Sequence, residues 1–248
     1  MTMSPGSPPA LHCARLSKRY GSAVALDDFS LTVATNQTFG LVGMNGAGKT
    51  TLLKCLLDFS EPDSGKIEIF GVSNRLTRSR SRLAFLPERF NPPFYLTGKD
   101  FLRYMLQLQE VGYRDEDAKR MFLALDLDLA ALAKPVRAFS KGMTQKLGLV
   151  ACLLSGKDLY ILDEPTSGLD PKARALLKAQ LRAARNAGKT VFFTSHALAD
   201  VDELCDQMAV IHRGELRFAG TPDQLRERHS AASLEHAFLA CIEERAAA

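Results

Sequence analysis

The sequence has no apolar run that approaches 18 residues, the approximate minimum for a helix that crosses a membrane. It also has no N-terminal basic stretch followed by an apolar one, so no secretory signal peptide is predicted. Residues 1–10 are rich in serine, proline and glycine, and we expect them to form a disordered lead-in. These absences predict a chain without a membrane span or a leader.

Paired cysteines and a strong charge are missing as well. No Cys-x-x-Cys occurs, and the five cysteines are odd in number and scattered, which favours reduced core thiols of a cytoplasmic protein. The net charge of +4 is too small to indicate nucleic-acid binding by itself. With 248 residues, 46% of them hydrophobic, the chain can form a sizeable core in one large domain or two small ones.

The segment 43–50, Gly-Met-Asn-Gly-Ala-Gly-Lys-Thr, fits the phosphate-binding P-loop pattern G-x-x-x-x-G-K-[ST]. Its glycines let backbone N–H groups face phosphate oxygens without a Cβ between them. We predict that Lys49 brings positive charge to the β- and γ-phosphates and that Thr50 offers its hydroxyl to Mg²⁺. A strand-like run, 38–42, precedes the loop and a helical run, 51–57, follows it, as the motif requires. The predicted nucleotide contacts here are Asn45, Gly46, Ala47, Gly48, Lys49, Thr50 and Thr51.

Polar side chains follow two further apolar runs that we interpret as strands. Asp163 and Glu164 follow the run 159–162, and Ser195 and His196 follow the run 191–194. Because ligands bind beyond the carboxyl ends of strands in an open parallel sheet, we expect these side chains to meet the P-loop. Asp163 can hold Mg²⁺, Glu164 can orient or deprotonate a water for attack on the γ-phosphate, and His196 can hold that glutamate or the phosphate. Each residue alone is typical of turn chemistry, but their combination with a P-loop favours a nucleotide site.

The spacing of apolar residues changes to a helical period from Thr97 onward, which predicts a mostly helical insert near residues 92–137. Thr97 with Asp100 resembles a helix capping box, and Ser140 is a plausible cap for a later helix. The apolar face predicted after Thr97 consists of Phe101, Tyr104, Met105 and Leu108. The arginine-rich segment 74–82 contains no acid, which favours a solvated loop over a contact with a partner or lipid headgroups.

Several segments together resemble the motifs of ATP-binding cassette (ABC) ATPases. The segment 139–143, FSKGM, resembles their signature sequence, usually written LSGGQ. The segment 162–165 resembles the Walker B motif with its catalytic glutamate, and 167–170 resembles the D-loop. The resemblance covers residues near 11–228 in the family's order. It is specific, because P-loop GTPases and kinases lack the signature.

Single residues also match the family's pattern. Tyr20 matches the aromatic residue that stacks on adenine, and His196 is similar to the switch histidine. Ser140 and Gly142 remain from the signature, and they should supply a hydroxyl and backbone donors to the γ-phosphate on an opposing cassette. Glu88 stands where the Q-loop of the family has glutamine; a carboxylate can approach Mg²⁺ there, but it changes the charge balance.

The resemblance implies an α/β fold, a P-loop NTPase with a RecA-like core, an antiparallel β subdomain and a helical subdomain near residues 92–145. The cassette would cover residues 11–228, with a helical tail over 229–248. The resemblance also implies that two cassettes, as a homodimer, sandwich two ATP molecules with Mg²⁺. The expected partner is a separate integral membrane permease, at the cytoplasmic face of the inner or plasma membrane, and no nucleic-acid partner is expected.

The FSKGM and Pro87-Glu88 variants resemble those of cassettes that serve ABC-2-type exporters. The predicted function is therefore ATP hydrolysis that powers export by a separate membrane subunit. The alternative is a soluble ABC ATPase that acts on nucleic acid or the ribosome. Such proteins usually carry two cassettes, long coiled coils or zinc sites, and the sequence contains none of these features.

Overall fold

The structure is a computed structural model that describes residues 8–244. Residues 1–7 of the predicted lead-in and residues 245–248 of the predicted tail lie outside the described residues. Ala10 is fully buried, and its carbonyl accepts a hydrogen bond from the backbone N–H of Phe70. The chain is therefore part of the packed structure from about this residue onward.

Six strands form the central sheet: β3 (Thr38–Val42), β6 (Leu83–Leu86), β7 (Leu159–Asp163), β8 (Thr190–Ser195), β9 (Gln207–His212) and β10 (Glu215–Gly220). Their order is β10-β9-β3-β8-β7-β6, and only β10 is antiparallel to its neighbour. Every residue of β3, β7 and β8 is buried, as expected for parallel strands that are covered on both faces. These three strands end at the same edge of the sheet, as the polar residues after them predicted.

A second sheet contains β1 (Leu11–Tyr20), β2 (Ala23–Val33), β4 (Ser64–Ile69) and β5 (Val72–Ser73). It is antiparallel, in the order β2-β1-β4-β5. A tight turn at residues 21–22 joins β1 to β2. Phe29, Leu31 and Val33 on β2 are buried, as their alternation indicated.

The described residues form eight α-helices: α1 (Lys49–Leu56), α2 (Gly98–Leu108), α3 (Asp115–Ala124), α4 (Lys141–Leu154), α5 (Pro171–Asn186), α6 (Leu198–Leu204), α7 (Pro222–Arg228) and α8 (Leu234–Glu243). The predicted caps at Thr97 and Ser140 are confirmed, and Asp170 caps α5 in the same way, because each side chain accepts a hydrogen bond from the backbone N–H three residues later. The proposed helical subdomain contains α2, α3 and the first turn of α4. No helix in the described part of the chain is long and apolar enough to cross a membrane.

Two apolar clusters cover opposite faces of the central sheet, and successive strand residues belong to different clusters. Phe192 packs in the cluster with β1, β2 and α1, whereas Phe193 packs in the cluster with α2 to α5. This alternation follows from the two-residue period of a strand. The sheet is thereby held between two cores, which fixes the positions of its strand ends.

The apolar face predicted for α2 is partly wrong. Tyr104 and Leu108 are 49% and 62% exposed, whereas Leu102 and Leu106 are buried beside Phe101. The helix carries apolar residues on two faces, and α2 packs on α4 and on a neighbouring 3₁₀ turn with only one of them. Helical periodicity cannot tell which apolar face meets a partner that lies 40 residues away in sequence.

The arginine-rich segment 74–82 is largely exposed to solvent, as predicted, but it is not simply a loop. Its second half, Thr77–Arg82, is a 3₁₀ helix. Three of its arginines form ion pairs with acids from other segments: Arg75 with Glu61, Arg80 with Asp58 and Arg82 with Asp158. The acids that balance this charge lie 14 to 76 residues away, so the local sequence could not reveal them.

Candidate functional site

The P-loop joins β3 to α1, and its backbone requires glycine at position 48. Gly48 has a φ of +115°, and a Cβ there would lie 2.6 Å from the carbonyl oxygen of Ala25. The first turn of α1 contains no acidic residue, so the helix does not compensate the positive end of its own dipole. The loop and the helix together have the geometry of an anion-binding site.

A cleft of about 250 Å³ opens over this loop. Its walls are formed by the loop, by one residue of β2 and by four polar side chains that follow strands: residues 44–51, Ala25, Glu88, Asp163, Glu164 and His196. The predicted P-loop contacts and the strand-end residues Asp163, Glu164 and His196 therefore lie around one cleft, whereas Ser195 does not line it. The other three predicted site residues, Tyr20, Ser140 and Gly142, do not line it.

The carboxylate of Glu164 is held in place from two sides. Its Oε1 lies 3.4 Å from Lys49 Nζ, and its Oε2 lies 2.8 Å from His196 Nδ1 and accepts the backbone N–H of His196 at 3.2 Å. Lys49 also donates a hydrogen bond to the carbonyl of Gly43 at 2.5 Å. Both side chains of the Lys49–Glu164 pair are only 8% exposed, so each charge depends on its partners.

The backbone at Glu164 is strained, with a φ of +48° in the left-handed region that favours glycine. Its N–H donates to the hydroxyl of Thr194 at 2.9 Å, and that hydroxyl donates to Asp163 Oδ1 at 2.6 Å. Strain of this kind at a buried carboxylate is typical of functional sites. One threonine on β8 thus fixes both acidic residues at the end of β7.

Negative charge accumulates on the side of the cleft that faces Lys49. Burial raises the pKa of the Asp163 carboxyl, and the carboxylates of Glu88 and Glu164 raise it further, while the hydrogen bond from Thr194 opposes the rise. Three carboxylates and one lysine therefore share this cleft, an arrangement that favours a cation when phosphates are added.

The oxygen atoms available in the cleft fit Mg²⁺. This ion prefers hard oxygen ligands, and in phosphate sites proteins usually supply only one or two of them. The described residues contain no group of three or more His, Cys, Asp and Glu side chains placed to hold a metal by themselves. Two oxygen atoms would suffice as the protein ligands of such an ion. Asp163, whose Oδ2 accepts no hydrogen bond from the described chain, and Thr50 at the start of α1 can supply them.

The start of α4 presents a second set of donors, away from the cleft. The hydroxyl of Ser140 accepts the backbone N–H of Met143 at 3.2 Å, so the serine caps the helix. Ser140 is exposed, and a Cβ at Gly142 would meet no described atom within 4 Å. The space in front of this helix end is therefore open.

Tyr20 lies at the end of β1 with 48% of its surface exposed. Its neighbour in the sheet is β2, the strand that brings Ala25 to the cleft. The tyrosine hydroxyl lies 3.4 Å from Ser60 Oγ. The ring is thus anchored at one end, while part of its face remains open to solvent.

The aromatic residues between the cleft and α2 divide into two groups. Phe90 is half-buried and packs edge-to-face on Phe101, with the ring centroids 5.6 Å apart. Phe94 and Tyr95 are 65% and 69% exposed, and their rings contact each other edge-to-face at 5.7 Å. The first residue packs the core, and the other two form an exposed aromatic pair.

Thr194 was not identified from the sequence, although it contacts both acids of the cleft. It is fully buried on β8, where it had the pattern of an ordinary strand residue. Its role depends on the register of β7 and β8, which places Thr194 opposite Asp163. The only signal in the sequence was a threonine near the end of a predicted strand. That signal becomes informative only once the pairing of β8 with β7 is known.

Comparison with known proteins gives a consistent result. The family model described as ABC transporter matches residues 26–167. An uncharacterized ABC transporter ATP-binding protein of Nostoc sp. is 39% identical over 208 residues, which cover 82% of this chain and 61% of that protein. The Nod factor export ATP-binding protein I of Ralstonia nicotianae is 36% identical over 230 residues, which cover 89% of this chain and 70% of that protein.

A solved structure titled "Structure of ATP binding subunit of ABC transporter" superposes with a TM-score of 0.85 at 29% identity. The match covers 94% of this chain and 99% of that one. The predicted fold class is thereby confirmed. This chain spans only 61% of the length of the Nostoc relative.

Proposed function

This chain belongs to the ABC transporter family, and we propose that it binds and hydrolyses ATP to power export through a separate integral membrane protein. The observation that carries this proposal is the carboxylate of Glu164, held between Lys49 and His196 at the P-loop cleft. A fixed carboxylate beside a phosphate-binding loop is suited to act as a base toward water.

The residues of the cleft suggest a division of labour. Backbone N–H groups of residues 45–51 would bind the phosphates, and Lys49 would exchange the carbonyl of Gly43 for a phosphate oxygen. Glu164 would take the proton of the attacking water as the bond between the γ-phosphorus and the leaving ADP oxygen breaks, while His196 holds that glutamate. Mg²⁺, held by Thr50 and Asp163, would neutralise phosphate charge.

The test of this proposal is Glu164→Gln in the full chain. Glutamine keeps the shape and hydrogen bonding of the side chain but cannot take a proton, so ATP binding should persist while hydrolysis falls by about 10²- to 10⁴-fold. Equilibrium ATP binding and phosphate release are the measurements. Glu235→Gln, in the exposed first turn of α8, is the matched control. Hydrolysis within two- or three-fold of the parent, about the scatter expected of a residue outside the chemistry, would overturn the role of Glu164.

The second part of the proposal is that the active site is completed by another copy of the chain. Ser140 and Gly142 do not line the cleft of their own chain, and they begin a 14-residue helix whose N-terminus favours an anion. Two chains would then enclose two ATP molecules, each between the P-loop of one chain and the signature segment of the other.

The third part concerns the membrane partner. The exposed pair Phe94–Tyr95 lies between the cleft residue Glu88 and α2, where a partner could sense the state of the nucleotide. Large exposed aromatic residues are typical anchors of interfaces. The name of the Ralstonia relative, a Nod factor export ATP-binding protein, supports export as the direction of transport. Both relatives are named as ATP-binding proteins of transporters or exporters, which supports a transporter over the alternative of a soluble ATPase that acts on nucleic acid or the ribosome.

A further inference from the structure

Tyr20 lies beside a charged pair, Lys18 and Asp63, that has no part in the proposed hydrolysis of ATP. Lys18 Nζ lies 5.5 Å from the centroid of the Tyr20 ring and 2.9 Å from Asp63 Oδ1. The Lys18 side chain is only 15% exposed, so its ammonium is held against the ring and the carboxylate. The tyrosine hydroxyl is held separately, near Ser60. Two contacts, one to the ring and one to the hydroxyl, thus restrict an aromatic side chain whose ring is about half exposed.

The same carboxylate also fixes the backbone beneath the ring. The pairing of β1 with β4 ends at Ser17 and Ser64. Beyond that point, the N–H of Asp63 donates to the carbonyl of Ser17 at 2.8 Å, and Asp63 Oδ2 accepts the N–H of Arg19 at 2.6 Å. The side chain of Asp63 therefore continues the ladder up to the residue before Tyr20.

Both members of the pair are stabilised in their charged forms. The hydrogen bond from Lys18 lowers the pKa of the Asp63 carboxyl, and the N–H of Arg19 lowers it further. The hydrogen bond to Asp63 in turn raises the pKa of Lys18. The cation beside the tyrosine ring is therefore present throughout the neutral pH range.

We propose that Lys18 and Asp63 are positioning residues for Tyr20, the residue that the family resemblance matches to the aromatic side chain stacked on adenine. This inference rests on the proposed function, because the Tyr20 ring has a ligand only if a nucleotide occupies the P-loop cleft. A base stacks on an aromatic ring through its flat face. A ring that is already held by its neighbours loses less conformational freedom when the base arrives, so binding is tighter.

The proposal predicts that changes at these three residues weaken binding of the base and leave binding of the phosphates unchanged. Tyr20→Ala removes the stacking surface and should lower the affinity for ATP by about ten-fold or more. Lys18→Met removes the cation but keeps an apolar stem, and it should lower that affinity by about two- to five-fold. Asp63→Asn keeps an acceptor for the N–H of Arg19 while removing the charge that holds Lys18, and its effect should resemble that of Lys18→Met. None of these changes should alter the affinity for inorganic tripolyphosphate, which has no base.

The experiment is calorimetric titration of the full chain with ATP and, separately, with tripolyphosphate, both with Mg²⁺. Lys66→Met is the matched control, because Lys66 is an exposed lysine of the same sheet and forms no ion pair in the described chain. Lys18→Arg keeps the cation and should therefore bind ATP about as tightly as the parent does. Lys18→Met and Asp63→Asn are also made in the Tyr20→Ala background, where neither should cause a further loss.

A selective loss of ATP affinity that disappears in the Tyr20→Ala background supports the proposal. Equal losses for ATP and tripolyphosphate would overturn it, since a role only in closing the sheet edge would affect both ligands. Unchanged ATP affinity, or losses that add to that of Tyr20→Ala, would overturn it as well. If the parent binds neither ligand, the proposed function itself fails, and that result is distinct from a parent that binds ATP as tightly as its Lys18 variants do.

Discussion

The P-loop cleft and the start of α4 both present groups suited to phosphate, but they differ in what those groups contact. In the cleft, the charged side chains already contact one another: Lys49 lies beside Glu164, and Glu164 beside His196. At the start of α4, the hydrogen bonds of Ser140 within the described chain go only to its own helix, and no described atom lies within 4 Å of the Cβ position of Gly142.

This difference suggests that the cleft is organised within one chain, whereas the signature segment needs another surface. Buried charges have to be paired when they have no ligand, which explains the contacts of Lys49 and Glu164 in the cleft. An exposed helix end carries no such requirement, because water satisfies its N–H groups. The two regions should therefore respond differently to mutation; three of the following four changes test this difference, and Phe94→Asp tests the surface between the two regions.

The largest effect is expected from Ser140→Arg in the Glu164→Gln background. Arginine would fill the space in front of α4 that an opposing phosphate is proposed to occupy, so ATP-dependent dimerisation should be lost. Size-exclusion chromatography with light scattering, with and without ATP, is the measurement. Ser233→Arg is the matched control, because Ser233 caps α8 in the same manner at no proposed site. A double variant that still dimerises like Glu164→Gln alone would contradict the composite site.

Lys49→Ala should reduce ATP affinity by about one to two orders of magnitude, the effect of losing a hydrogen bond to a charged group. Equilibrium binding of ATP measures this change. Lys54→Ala, on the exposed side of the same helix, removes an equal charge and should bind ATP like the parent. Equal losses in the two variants would mean that general charge, and not the position of Lys49, accounts for binding.

Phe94→Asp should lower the membrane-bound fraction of the chain by about ten-fold or more, as expected for an aromatic anchor of an interface. The measurement is sedimentation of the chain with membranes of the cells that produce it, with the melting temperature measured in parallel. Leu123→Asp provides the control, because Leu123 is similarly exposed, at 62%, but lies on α3. If Phe94→Asp unfolds, or sediments as the parent does, the aromatic pair belongs to the packing of the subdomain.

Ser140→Ala and Ser233→Ala form the smallest and most discriminating pair. Each removes a serine cap and should lower the free energy of unfolding by about 1 kcal/mol, or the melting temperature by a few degrees. Only Ser140→Ala should also reduce ATP hydrolysis, because only Ser140 is proposed to contact a nucleotide. Thermal melts and ATPase assays check both statements, and hydrolysis that is equal in the two variants would argue that Ser140 is a cap alone.

Much of the cleft could be predicted from the sequence because its rules are local. A glycine-rich loop between a strand and a helix, and acids directly after a buried strand, lie within a few residues of each other. The helix starts at Thr97 and Ser140 were predicted for the same reason, since a cap and its N–H donor are three residues apart. These features need no knowledge of which elements become neighbours.

Features that depend on neighbours distant in sequence required the tertiary structure. Thr194 contacts Asp163 only through the register of two strands, and Lys18 reaches Asp63 across a 45-residue separation. Tyr104 was assigned to the wrong face of α2 because the packing partner, and not the helical period, selects the buried face.

By itself the sequence determined which loop has the phosphate-binding pattern, which strand ends carry acids and where several helices begin, because backbone geometry and hydrogen bonding impose these rules over a few residues. Only the tertiary structure decided which charges meet. The partner of Lys49 lies 115 residues later in the chain, and the partners of the segment 74–82 lie in two other segments, the loop after α1 and the residue before β7. Electrostatic contacts depend on distance in space, and that distance is set by how strands pair and helices pack.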